Sequence, residues 1–115
     1  MPEQHSEKRA QSMAYKLNVT EHADELLDNL VFHLVNRLKN KQAAKYLLDS
    51  IDIVYDRLEN NPYQYPECRD IYLAKKGYRE AVVPQMNYII IFDVRVDVVN
   101  VVGIFHQLEN YQSKL

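Results

Sequence analysis

The stretch from Gly77 to about Gln107 constrains the fold more than any other. It reads Gly77-Tyr78-Arg79-Glu80-Ala81-Val82-Val83, then Asn87-Tyr88-Ile89-Ile90-Ile91-Phe92-Asp93-Val94, then Val98-Val99-Asn100-Val101-Val102-Gly103-Ile104-Phe105-His106. These are three β-branched and aromatic runs of strand length, set off by Pro84 after the first and by Arg95-Val96-Asp97 after the second. The second and third are almost continuously apolar, the pattern of strands covered on both faces or only weakly solvated on one. Connections this short join antiparallel neighbours, because a parallel crossover takes a dozen residues or more. The last third is therefore a three-stranded antiparallel meander, and the rest of the chain is expected to cover it.

Upstream, Tyr15, Leu17 and Val19 alternate with Lys16, Asn18 and Thr20, which predicts a short half-buried strand as a fourth partner for the meander. Thr20 suits a helix N-cap, and Glu21, Asp24 and Glu25 suit the positive end of the helix that follows. Ala23, Leu26, Leu27, Leu30, Val31, Leu34, Val35 and Leu38 recur at spacings of three and four, and a basic last turn follows at Arg37, Lys39 and Lys41. Asn40 breaks this helix and can cap the next, whose stripe is Ala44, Leu47, Leu48, Ile51, Val54, Tyr55 and Leu58. Two long helices with so short a turn form an antiparallel hairpin. Asn60-Asn61-Pro62 stops the second helix. Between there and the meander, Ile71 to Lys76 suits either one more helical turn or an extended entry to the sheet. The expected fold is α+β, a two-layer sandwich in the order β-α-α-β-β-β.

With 115 residues the chain makes one domain, taken as 13–115, with 1–12 as a disordered tail, an upstream start or a cloning remnant. Cys68 is the single cysteine, so neither an internal disulfide nor a cysteine metal site is expected, and a reducing cytoplasm is the default. No apolar run reaches the length of a membrane span. The net charge of −2 argues against broad, charge-driven nucleic-acid binding. His22 and His33 are helical but not spaced as metal ligands, and Cys68 has no activating neighbour in sequence. No phosphate-binding glycine loop is present.

The ordered part of the chain, Tyr15 through Tyr111, resembles the RelE/ParE superfamily of toxins from bacterial type II toxin–antitoxin modules. The resemblance rests on the opening strand with Thr20-Glu21-His22-Ala23 and on Leu58-Glu59-Asn60-Asn61-Pro62 with Tyr65-Pro66. It continues in Gly77-Tyr78-Arg79, in Asn87-Tyr88-Ile89-Ile90-Ile91-Phe92, and in His106 with Tyr111. It implies a small growth-inhibiting protein held inactive by a cognate antitoxin, in a hetero-oligomer, with no cofactor. It also implies one of two targets: RelE-like members cut mRNA in the ribosomal A site, whereas ParE-like members poison DNA gyrase without being nucleases.

RNA cleavage by a ribose 2′-hydroxyl needs a base, cations for the developing charge, and an acid for the leaving oxygen. Arg79 is the best cation on offer, since a guanidinium forks onto phosphate as lysine does not. Lys75 and Lys76 could help bind substrate beside it. His106 could serve as acid or base, and Tyr111 could stack on a base or give up a proton. Against these stand their bland alternatives: a solvated loop, a strand-end histidine, a tyrosine that covers the core. The departures weigh against cleavage. Gln107, Leu108, Glu109 and Asn110 stand where such toxins often carry basic residues, and Ile89, Ile90 and Ile91 stand where some nucleases place an arginine. Asp93 and Glu109 are expected to bring negative charge near the scissile phosphate. The expectation taken is therefore a ParE-like, non-nucleolytic toxin acting on DNA gyrase. The alternatives are a ribosome-dependent mRNA endonuclease using Arg79, His106 and Tyr111, and a degenerate toxin that only binds its antitoxin.

Overall fold

Thr20 ends the first strand and starts the first helix. Its backbone is extended, its N–H still donates to Val101 of the sheet at 3.0 Å, and its hydroxyl accepts the N–H of Ala23 at 3.1 Å. The computed structural model describes residues 14–107 and 111–115, so the expected tail over 1–12 lies outside the described residues. The order is β1 (Lys16–Val19), α1 (Glu21–Phe32) running into a π-helical turn (His33–Arg37), then α2 (Lys41–Asn60) and a 3₁₀ turn (Pro62–Gln64). There follow α3 (Ile71–Lys75), β2 (Arg79–Val83), β3 (Tyr88–Arg95), β4 (Val98–His106) and a closing 3₁₀ turn (Tyr111–Lys114). Of the two readings open for Ile71 to Lys76, the helical one is observed.

Asn40 caps α2, accepting the Ala43 N–H on its side-chain oxygen at 2.9 Å. Leu47, Ile51, Val54 and Leu58 of α2 are all but fully enclosed, with Leu34 of the π turn beside them. Leu30 is only half-buried. Two stripe positions depart from the periodic reading. Leu38 is exposed because the wider turn, closed by Leu38 N–H to His33 O at 3.0 Å, rotates it off the face that Leu34 occupies. Leu48 is exposed because it lies about 100° round the helix from Leu47, off the arc that Leu47, Ile51, Val54 and Leu58 turn to the sheet.

The sheet runs β1-β4-β3-β2, with β2, β3 and β4 antiparallel and β1 parallel to β4 from Lys16↔Val98 to Val19↔Val101. One face carries Ala81, Val83, Ile90, Phe92 and Val99 against the helix hairpin. The other carries Ile89, Ile91 and Phe105, covered by Cys68, by Leu73 of α3 and by Tyr111. Val99, Val101 and Ile104 all point to the hairpin although their spacing changes parity. A bulge makes this possible: Ile91 pairs with Gly103 and Phe92 with Val101, so Val102 is extra. Gly103 has no room for a side chain, since a Cβ there would collide with the Phe105 ring folded back over it.

The packing fixes a contrast between adjacent positions. Leu47→Ala, at a residue with no exposed surface, is expected to lower unfolding free energy by about 2–5 kcal/mol. Leu48→Ala, one position on, should change it by less than about 0.5 kcal/mol. Urea titrations of both variants check this, and equal losses would contradict the placement of the hairpin.

Candidate functional site

Arg79 opens β2 opposite Phe92, on the hairpin face of the sheet. Its Nε donates to the Tyr65 carbonyl at 3.0 Å, and its guanidinium lies 5.1 Å from the centre of the Tyr63 ring. The side chain is thus engaged in tying the segment after α2 to the edge of the sheet. Tyr65 in turn sets its ring edge-on to Phe92, with centroids 6.2 Å apart. His106 ends β4 opposite Tyr88, also on the hairpin face, and their rings meet edge-on at 5.7 Å. Arg79 and His106 share a face without meeting. Four residues of β3 separate their registers, about 13 Å along the strand, and two strand spacings, about 9.6 Å, separate them across it.

Tyr111 is on the other side of the sheet. It stacks on Phe105 with centroids 5.7 Å apart and planes 20° from parallel. Burial, then the negative charge of Glu80, pushes its phenol above the ordinary tyrosine value, so it holds its proton more firmly than a free tyrosine. Lys75 and Lys76 are exposed at the end of α3, the element that covers this second face. Gly77, at φ 91°, closes that helix: its N–H donates to Ala74 O at 3.0 Å and that of Tyr78 to Leu73 O at 3.0 Å. The five candidates therefore divide, with Arg79 and His106 on one face and Lys75, Lys76 and Tyr111 on the other.

The acids and the isoleucines are arranged in keeping with that division. Asp93 continues the alternation of Ile89 and Ile91 and so lies across the sheet from Arg79. It is nearly enclosed, and it accepts from Arg95 Nε and Asn100 Nδ2, both at 3.1 Å. Asn100 passes the chain on to β1 by accepting from Asn18 Nδ2 at 2.8 Å. Ile89, Ile90 and Ile91 have no exposed surface and fill the two cores. Leu108, Glu109 and Asn110 lie outside the described residues.

Sequence reasoning missed Glu80. It is 3% exposed, and its carboxylate accepts the Arg69 backbone N–H and the Arg69 Nε, each at 3.0 Å. With Cys68 N–H to Tyr78 O at 3.1 Å and Glu80 N–H to Pro66 O at 3.0 Å, this pair straps the 65–70 segment along the start of β2. No local pattern announces a pair eleven residues apart in an irregular loop. The described surface carries grooves. One of about 310 Å³ runs between α2 and the β2 edge, lined by Tyr46, Ser50, Ile53, Arg57 and Pro84 among others. Among the described residues there is no cluster of three or more metal-ligating side chains.

Residues 17–111 match the family described as "ParE toxin of type II toxin-antitoxin system, parDE". The chain also resembles a solved structure described as the chromosomal ParDE TA system from P. aeruginosa, with a TM-score of 0.67 and 18% sequence identity. That likeness covers 83% of this chain and 98% of the other, and at this identity it speaks to the fold. No curated protein matches the chain in sequence.

Closure of the second face has a measurable consequence at Cys68. Burial first, then Glu80 and Asp70, pushes its thiol from 9.0 up to about 12, with Arg79 opposing. The thiol is neutral in the fold at pH 8, and alkylation by iodoacetamide should be at least tenfold slower than for the unfolded chain. A folded-state pKa raised in this way favours folding below pH 9 and loses that contribution as pH climbs toward 12. Cys68→Ala should therefore flatten the fall in stability over that alkaline window. Rapid labelling of the native protein at pH 8 would contradict the enclosure.

Proposed function

The chain belongs to the ParE toxin family of type II toxin–antitoxin systems, and from that membership we propose that it arrests growth by binding and poisoning DNA gyrase, not by cutting RNA. The observation that carries this reading is the division of the nuclease candidates between the two faces of the sheet. Strand cleavage at a phosphate needs a base, an acid and preorganised cations around one reacting group, and losing a single such donor typically costs about a hundredfold or more in rate. Here Arg79 is held by Tyr65 and Tyr63, Tyr111 is stacked on Phe105, and an apolar sheet separates them. Such an arrangement favours action by binding.

An antitoxin is the partner that family membership assigns to the chain. We place its contacts on β1, an edge strand with β4 on one side and no strand on the other among the described residues, and on the open end of the helix hairpin beside it, where Tyr15 N–H donates to Glu59 O at 3.2 Å. An added strand or a laid-on helix would bury apolar surface there. Hydrogen exchange should slow in both regions when the antitoxin is bound, and unchanged exchange in both would refute the placement.

The target is tested by mutation and by following what fails first. Arg79→Ala and His106→Ala should leave growth arrest largely intact, apart from any loss traceable to lower stability. Arrest should come with DNA damage signalling and with gyrase–DNA cleavage complexes, while ribosome-bound transcripts stay whole. Codon-position cleavage of mRNA after induction, abolished in either variant, would make the chain a ribosome-dependent endonuclease instead.

A further inference from the structure

The tip of the helix hairpin and the turn between β2 and β3 come together at one end of the molecule. Two hollows adjoin there. The first, about 360 Å³, is lined by Val35, Lys39, Asn40, Lys41 and Gln42. The second, about 500 Å³, is lined by Asn40, Gln42, Ala43, Tyr46, Gln85 and Met86. Asn40 and Gln42 belong to both, so the hollows run together as one open trough. Tyr46 Oη donates to Gln85 Oε1 at 2.9 Å and fastens the hairpin side to the turn side.

Charge is segregated at this end. The chain carries 16 acids to 14 lysines and arginines, yet from Asn29 to Leu48 it has Arg37, Lys39, Lys41 and Lys45 and no acid at all. Lys45 pairs with Asp49 at 3.0 Å. Arg37, Lys39 and Lys41 are exposed and, among the described residues, make no ion pair. The same stretch of chain exposes two large apolar residues, Phe32 at 62% and Leu38 at 58%. The backbone is unusual here as well. Lys39, Gln85 and Asn87 hold positive φ of 52°, 67° and 57°, a conformation disfavoured for residues with a Cβ, and they line or flank the trough. Such strain persists where surroundings enforce it and gathers at binding and switching sites.

We propose that this trough is the surface by which the toxin engages its target, and that the target presents there an acidic protein loop bearing an apolar side chain. The assignment rests on the reading of the chain as a toxin that acts by binding. Carboxylates of the loop meet Lys39 and Lys41, which line the trough, with Arg37 two residues before Lys39 adding to the positive field. Its apolar residue settles on Val35, Ala43 and Met86, and its backbone finds the amides of Asn40, Gln42 and Gln85. A nucleic-acid backbone would satisfy the cations but leave Phe32, Leu38 and the apolar floor with nothing to bury against. The mixture of apolar floor, amides and flanking charge is that of a protein interface, with steering by opposite charge.

Two variants test it, each measured for growth arrest on induction, antitoxin co-purification, thermal unfolding and binding to purified DNA gyrase. One reverses charge (Arg37→Glu, Lys39→Glu and Lys41→Glu); the other removes apolar contact (Phe32→Ser with Leu38→Ser). Both should unfold as the parent does, retain the antitoxin, and lose at least tenfold in arrest and in gyrase binding. Should the charge-reversed protein unfold early, Lys39→Gln with Lys41→Gln carries the same expectation without adding repulsion. Arrest at parental strength in either variant overturns the proposal; if only charge reversal matters, the partner is a phosphate backbone. Loss of antitoxin retention alongside arrest also overturns it, since the trough then belongs to the antitoxin interface. If the parent arrests growth without touching gyrase and both variants fail to arrest, the trough stands and the gyrase reading falls.

Discussion

The interior of β3 is the constraint on which the rest of the structure depends. From Ile89 to Phe92 no side chain keeps any exposed surface, and Asp93 keeps little. A strand paired on both edges and covered on both faces has no route to water, so its neighbours must supply every contact it makes. The hairpin does so on one side. On the other, the small cover of α3, the 65–70 strap and the closing turn suffices because Phe105 lies flat over Gly103 and reduces the depth to be filled. The one acid admitted to this strand brings its own donors, Arg95 and Asn100. With the centre of the sheet sealed in this way, anything that recognises the protein must do so at its rims, edges and ends.

Much of the fold was legible because it rests on period and punctuation. The meander, the fourth strand, both helix caps and the hairpin follow from β-branched runs, alternation and the side chains of Thr20 and Asn40. Where periodicity misled, the cause was a local change of helical pitch at Leu38 and, at Leu48, a place beyond the rim of the buried arc. Neither changes the hydrophobic pattern. The candidate site was less legible. Arg79, His106, Tyr111 and the two lysines could each be identified by chemistry, but which face of the sheet each would occupy depends on strand register, and the register of β4 depends on a bulge at Val102. The Glu80–Arg69 pair and the trough at the hairpin tip arise from chain segments far apart in sequence, and nothing local marks them.

The cations illustrate how placement decides role. Arg79, the most promising by residue type, is held by a carbonyl and an aromatic ring and works as a clamp. Arg69, on which no weight fell, neutralises the one enclosed carboxylate of β2. Arg37, Lys39 and Lys41, exposed and without an ion pair among the described residues, do not form the basic last turn expected of the first helix: Arg37 ends the π turn, Lys39 lies between the helices at φ 52°, and Lys41 opens α2. Net charge of the chain conceals this, because it averages over a molecule whose two ends differ.

The parallel pairing of β1 with β4 sets the order in which the molecule can be made. Lys16 waits for Val98, so the first strand to leave the ribosome is the last to find its place. The meander and the hairpin are built from near neighbours and can form early, whereas joining β1 to β4 closes a loop spanning most of the chain. Until β4 has been made, β1 has no partner strand and is an edge of the kind that recruits other strands. The sheet is thus complete only once β4 has been translated. Whatever binds β1 during that interval acts on a nascent chain, before there is a finished toxin to restrain.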